Sequence, residues 1–335
     1  MRTTLFTIIC GLLFLLCSLQ LFADNGQIDI ATLPFTISNS GSYVVVKDLS
    51  LSTQDTDGIT ISANNVTIDL NGHALIGPGK AVGASGSGIV LSGSYSNIAV
   101  RNGTIRDWRN AGVFGNSINS LFEFLRCYSN GSNGIEVGLG SIVRFCNCNY
   151  NGYRGISGES GLITGNTCTQ NDADGIMGNS STISSNTCTN NAASGINAQG
   201  GVVSGNTCSY NIDDGIYANV CLVSGNFCST NTGNGIRVWS YSRVIENTCY
   251  NNGYSTATAS GIRSSAGHNS IENNVATSND YGIYCTTDDF FVGNRAHNNT
   301  ISDFSYPSNC LRGQVIDGTA GGVISTTDPY ANLRF

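Results

Sequence analysis

Charge is scarce in this 335-residue chain: 11% of residues are Asp, Glu, Lys or Arg, and 15 basic against 22 acidic residues leave a net charge of -7. Binding to a nucleic-acid backbone needs clustered Lys and Arg, so nucleic acid is not an expected partner. Histidine is nearly absent, with only His73, His268 and His297, far apart in the sequence. A zinc-type centre needs ligands that converge on one point, so no metal site is expected. There are 4 Pro against 42 Gly, and the Gly recur at fixed positions, which separates the chain from a disordered linker. Helix formers are few among the many Gly, Ser, Thr and Asn. Beyond the N-terminus no apolar run is long enough to cross a membrane as a helix.

The N-terminus carries the one long apolar run. Met1-Arg2 is followed by an apolar stretch over residues 5–16, then Leu21-Phe22-Ala23. A basic start, a short apolar core and a small exit residue describe a secretory signal peptide over 1–23, cleaved after Ala23. The alternative, a membrane anchor, is disfavoured because the run is short for a span. The mature chain is therefore expected to be secreted, periplasmic or at the cell surface, with no transmembrane segment after cleavage.

What the chain has in abundance is a repeat of 20 or 21 residues. One copy reads Gly175-Ile176, Ile183, Asn186-Thr187-Cys188, Asn191, and the next Gly195-Ile196, Val203, Asn206-Thr207-Cys208, Asn211. The cysteine position runs through Cys127, Cys148, Cys168, Cys188, Cys208, Cys228 and Cys249, then Ala276 and Ala296. Such a period marks a solenoid. Short β-branched segments between Gly/Asn turns read as strands. The period therefore predicts an all-β coil of three short parallel strands per rung, with equivalent residues stacking at roughly 4.8 Å. Ile, Val and Cys point inward, Asn ladders occupy the bends with amides bonded along the stack, and Gly before Ile permits a tight turn. The expected division is an N-terminal cap over 24–52, the coil over 53–299 and a C-terminal cap over 300–335, because a solenoid must close its open ends.

The repeat is similar to those of pectate-lyase-like and NosD-like secreted bacterial proteins. The segments Leu33-Pro34-Phe35-Thr36-Ile37, Val66-Thr67-Ile68-Asp69-Leu70-Asn71-Gly72-His73, Val100-Arg101-Asn102-Gly103-Thr104-Ile105 and Asp328-Pro329-Tyr330-Ala331-Asn332 also resemble a large bacterial group within that class. The resemblance covers nearly the whole mature chain. It implies a single-domain, right-handed parallel β-helix and export, but no reaction, since that group has no established activity.

Thirteen Cys in an exported chain suggest disulfides. Seven of them share one ladder position that Ala also fills, and in-register neighbours on parallel strands suit disulfide geometry poorly. They read as small buried apolar residues. Cys146, Cys221, Cys285 and Cys310 lie off the ladder and leave one bridge open, with no pairing indicated.

Candidate chemistry flanks the Gly-Ile series. Before Gly come Asn133, Arg154, Asp174, Ser194, Asp214, Asn234, Ser260 and Tyr281; after Ile come Glu136, Ser157, Met177, Asn197, Tyr217, Arg237, Arg263 and Tyr284. Asp174 and Asp214 sit two rungs apart, about 9–10 Å at the rung spacing, near the separation of two acids in an inverting glycosidase. Asp174, Asp214 and Arg154 are thus the catalytic candidates, and Glu136, Tyr217, Arg237, Trp239 and Tyr254 the substrate-binding ones. Against this, Asp before Gly is an ordinary turn residue. The phrases Asp172-Ala173-Asp174-Gly175 and Asp213-Asp214-Gly215 faintly resemble polygalacturonases, but that family's Gly-His-Gly and Arg-x-Lys are missing. The expected function is a non-catalytic exported β-helix of the cell envelope or exterior that binds carbohydrate, such as an envelope glycan, or a partner along its stacked face. The alternative is a polysaccharide-active hydrolase, lyase or uronate epimerase. No cofactor is expected, Ca2+ entering only for a lyase.

Overall fold

The computed structural model describes residues 26–253, 258–319, 321 and 325–335. The reading of a signal peptide over 1–23 lies outside them. The described residues form thirty-six strands and no helix. Every pairing between strands is parallel, and each strand pairs with its equivalent one rung away. No described helix is long and apolar enough to cross a membrane.

Each rung presents three faces. Face A holds the Gly-Ile strands, from Phe35–Ile37 to Ser302–Ser305. Face B runs from Ile28–Ile30 to Leu311–Arg312, and face C starts at Leu49–Ser50. In the middle rungs one strand bends across faces A and B, as in Ile176–Ser184, Ile196–Ser204 and Ile216–Ser224. The 20-residue offset is visible in the register: Ile176 pairs with Ile196 and Ile196 with Ile216. Cys148 pairs with Cys168, Cys168 with Cys188, and Cys249 with Ala276. Segments expected as caps add strands to this stack. Gly41–Val45 pairs with Val66–Asp69, and Ser302–Ser305 with Tyr281–Tyr284. The tail strand Asn332–Arg334 slides between Arg295–His297 and Val315–Asp317.

The core is a set of ladders. Ile156, Ile176, Ile196, Ile216 and Ile236 are fully buried, as are the seven ladder cysteines. All eleven described cysteines are free thiols, the four off-ladder ones included. Burial pushes the thiols of Cys168, Cys188, Cys208 and Cys228 well above their ordinary range, so they serve as packing and not as nucleophiles. Two buried Asn ladders seal the bends. Asn206 shows the pattern. Its Oδ1 accepts from Asn186 N (2.9 Å) and Asn186 Nδ2 (3.0 Å); its Nδ2 donates to Ile183 O (2.9 Å) and Asn226 Oδ1 (3.0 Å). All four hydrogen-bonding positions of a buried amide that matter here are filled within the stack.

Two local expectations change. The left-handed residue at each bend is the one before the ladder Asn: Ser185 (φ 56°) before Asn186, Asn190 (φ 56°) before Asn191, Tyr210 (φ 58°) before Asn211. The ladder Asn is retained for its amide, not its backbone freedom. Likewise Gly195 has no positive φ; a Cβ there would meet Gly215 O at 2.7 Å and Asn211 Nδ2 at 2.8 Å. Gly precedes Ile because the next rung passes too close for a side chain.

Candidate functional site

The residues before Gly bond upward along the stack. Asn133 Oδ1 accepts from Arg154 N (3.1 Å), Asp174 Oδ1 from Ser194 N (3.2 Å), and Asn234 Oδ1 from Ser260 N (2.8 Å). Asp214 Oδ1 accepts from both Asn234 N (2.8 Å) and Asn234 Nδ2 (2.7 Å). Asp174 and Asp214 therefore each spend one oxygen on the next rung's backbone. They are only 7% and 0% exposed.

Each acid gives its second oxygen to an arginine. Arg154 Nε lies 3.3 Å from Asp174 Oδ2, with its guanidinium 4.4 Å from the Tyr153 ring centroid. Arg237 Nε lies 3.0 Å from Asp214 Oδ2, an ion-pair distance, but the N–H is not aligned as a hydrogen bond. Asp214 Oδ2, Arg237 Nε and Ser260 Oγ are thus buried polar atoms without hydrogen-bond partners. Burial pushes the Asp214 carboxyl up to about 6, and the neighbouring Asp213 charge adds to this, while Arg237 and Asn234 pull it down.

Beyond the Gly-Ile pair, the outward positions of face A line up in one column. Tyr217 pairs with Arg237, Arg237 with Arg263, and Arg263 with Tyr284. The outer members clasp the inner ones: Arg237 lies 4.8 Å from the Tyr217 ring centroid and Arg263 4.8 Å from that of Tyr284. Asp214 neutralises Arg237 from beneath. Arg263 has no described carboxylate within ion-pair distance and only a 3.4 Å contact to Thr258 O. Trp239, half exposed, follows Arg237 by two residues on the same outward side. At the adjoining corner Tyr241 stacks on His268, centroids 5.3 Å apart.

The structure therefore gathers Asp214, Tyr217 and Arg237, with Trp239 beside them. Arg154 and Asp174 form a separate pair on earlier rungs, with the Ser194 rung between Asp174 and Asp214. Glu136 lies apart again, in a cleft of about 410 Å³ shared with Glu159, Asn116 and Ser157. Tyr254 lies outside the described residues. Arg263 and Tyr284 were visible in the sequence column but not singled out. The insertion after Asn252 interrupts the 20–21-residue spacing, and the in-register pairing keeps them in the Tyr217–Arg237 row, as the Gly-Ile series aligned them. Among the described residues no group of three His, Cys, Asp or Glu is placed to hold a metal ion.

Solved structures share this architecture over most of the chain. The A-module of mannuronan C-5 epimerase AlgE6 from Azotobacter vinelandii is 13% identical with a TM-score of 0.61, over 88% of this chain and 90% of that one. The fold is a right-handed parallel β-helix. A double mutant of the periplasmic alginate epimerase AlgG, 15% identical, shares the β-helix with a TM-score of 0.56, over 90% of this chain and 75% of that one. A mutant tailspike protein of E. coli bacteriophage HK620 in complex with a pentasaccharide, 13% identical, does so with a TM-score of 0.52, over 93% and 72%. No family model and no curated protein matches the β-helix by sequence.

Proposed function

We propose that this β-helix is an exported protein that binds an anionic polysaccharide along face A. The observation that carries the reading is the in-register row Tyr217–Arg237–Arg263–Tyr284, in which a chain of net charge -7 presents a half-buried arginine with no carboxylate partner among the described residues. Arginine forks match carboxylates, and tyrosine and tryptophan faces stack on sugar rings. The rung repeat, roughly 4.8 Å, sets the two arginines on adjacent rungs, each guanidinium leaning onto its own tyrosine, so that the row offers an extended cationic and aromatic surface. Many weak contacts on a rigid rod add up without a deep pocket. The structural neighbours lend support, since their names include alginate epimerases and a tailspike holding a pentasaccharide. Export rests on the leader read over 1–23.

Calorimetric titration with polygalacturonate, polymannuronate and neutral dextran tests this. Binding to a polyuronate that weakens with salt is expected, with about a ten-fold loss in Arg263→Ala. Equal affinity for dextran, or an Arg263→Ala variant that binds as tightly as the parent, would rule the reading out.

A second reading, a uronate epimerase, lyase or hydrolase, draws on Asp214, whose carboxyl is raised to about 6 beside Tyr217 and Arg237. Its complete burial counts against direct contact with a substrate. Unsaturated or epimerised uronates, or new reducing ends, formed by the parent protein and not by Asp214→Asn would establish it.

A further inference from the structure

The Arg–Tyr row leads into a second feature, at the C-terminal end of face A. A cleft of about 560 Å³ opens where three successive rungs meet the corner between faces A and B. Its walls include Ser265, Tyr284, Thr287, Ser305 and Tyr306. The side-chain hydroxyls of these five residues bond no other described residue, and no charged side chain lines the cleft. It is an open depression on the face and not an enclosed pocket, a shape that suits one unit of an extended polymer.

The walls are held in place. Tyr306 is packed between Phe291 of the core, centroids 5.1 Å apart, and the Arg312 guanidinium, 4.5 Å from its ring. Tyr284 is held by Arg263 on its face and by Tyr281 edge-on, centroids 5.6 Å apart. Rigid walls lose little entropy when a ligand arrives. Tyr284 belongs to both features: it closes the cationic row and lines the cleft.

We infer that this cleft is a saccharide subsite that reads the hydroxyls of one sugar unit while the adjoining unit's carboxylate lies on Arg263. The inference rests on the polyuronate reading above and adds a place where the polymer's register is set. Charge brings the chain to the row; the hydroxyl cleft, which offers donors and acceptors but no ion, discriminates a sugar from any other polyanion. A ligand lacking hydroxyls leaves the cleft empty and gains from the arginines alone.

The test compares short oligouronates with polyacrylate, a carboxylate polymer without hydroxyls, on the intact protein and on the triple variant Ser265→Ala, Thr287→Val, Ser305→Ala. Thermal melting of the variant, expected to match the parent because none of these hydroxyls has a described partner, guards against misfolding. The subsite predicts about ten-fold weaker oligouronate binding by the variant and unchanged polyacrylate binding. Unchanged oligouronate binding, or an equal loss for both ligands, overturns the subsite. It leaves the polyuronate reading standing, since that reading is decided separately, by polyuronate against dextran and by Arg263→Ala. Should the triple variant melt early, Ser265→Ala alone decides by the same comparison.

Discussion

Asp214 shows how a single residue can be ordinary in sequence and unusual in place. Asp before Gly is a common turn residue, but here its Oδ1 ties down the next rung by accepting from Asn234 N and Nδ2. Its Oδ2, however, is buried against Arg237 without an aligned donor. Asp213, Arg237 and Asn234 face this carboxyl, and burial dominates, raising it to about 6. The folded state then binds a proton more tightly than the unfolded chain, so Asp214 opposes folding above pH 6 and the penalty fades as pH falls from 6 toward 4. Asp214→Asn keeps the amide-accepting oxygen, as Asn234 does one rung later. The variant is expected to be more stable than the parent at pH 7 by no more than about 3 kcal/mol, with the gap closing by pH 4, in urea titrations across that range. A gap independent of pH would remove the buried charge from this account. Protonation also releases Arg237, so polyuronate binding should strengthen below pH 6 in the parent and not in Asp214→Asn.

At the scale of the element, the rung is stabilised by what repeats. A residue of an Asn ladder is buried, so its amide must be satisfied within the stack. Replacing Asn206 by Ala removes the acceptor for Asn186 N and the donor to Ile183 O. The expected cost is about 3–5 kcal/mol in a urea titration, the sum of a cavity and orphaned backbone groups. A loss below about 1 kcal/mol would show that water replaces the amide and that the ladder is not structural. The cysteine ladder contrasts with this. Its side chains lie in the buried apolar core, and Ala276 and Ala296 hold the same position further along. Both ladders were legible in the sequence, because stacking in register gives each position the same neighbours on every rung. The left-handed residues were placed one position too late. Nothing in composition distinguishes Ser185 or Tyr210 as the bend, since side chains there point outward and vary freely.

For the molecule as a whole, the ends are the weak point. A parallel stack leaves unpaired edges that invite other chains. The tail strand Asn332–Arg334 pairs with Arg295–His297, and Asn332 Oδ1 accepts from Asn294 N and Nδ2, both 3.1 Å, so the tail supplies the last member of an Asn ladder. Removing residues 325–335 should lower the melting temperature and produce aggregates seen by light scattering, with the loss beginning at the C-terminal rungs in hydrogen exchange. A truncated protein that stays monomeric and melts unchanged would show that the preceding strands cap the coil unaided.

The period alone determined that the chain is a coil of parallel strands, which residues face inward, and that amides and thiols stack. Each of these follows from a fixed offset between equivalent residues. What the tertiary structure decided is which outward residues meet. The insertion after Asn252 lengthens the chain between Arg237 and Arg263 without changing their register, so these consecutive members of the Gly-Ile series stay paired between Tyr217 and Tyr284, and folding decides which ring each guanidinium meets. Burial, likewise, separates Asp214 from the other acids of the same column: a carboxyl's proton affinity depends on how much water and which charges surround it, and only folding sets those.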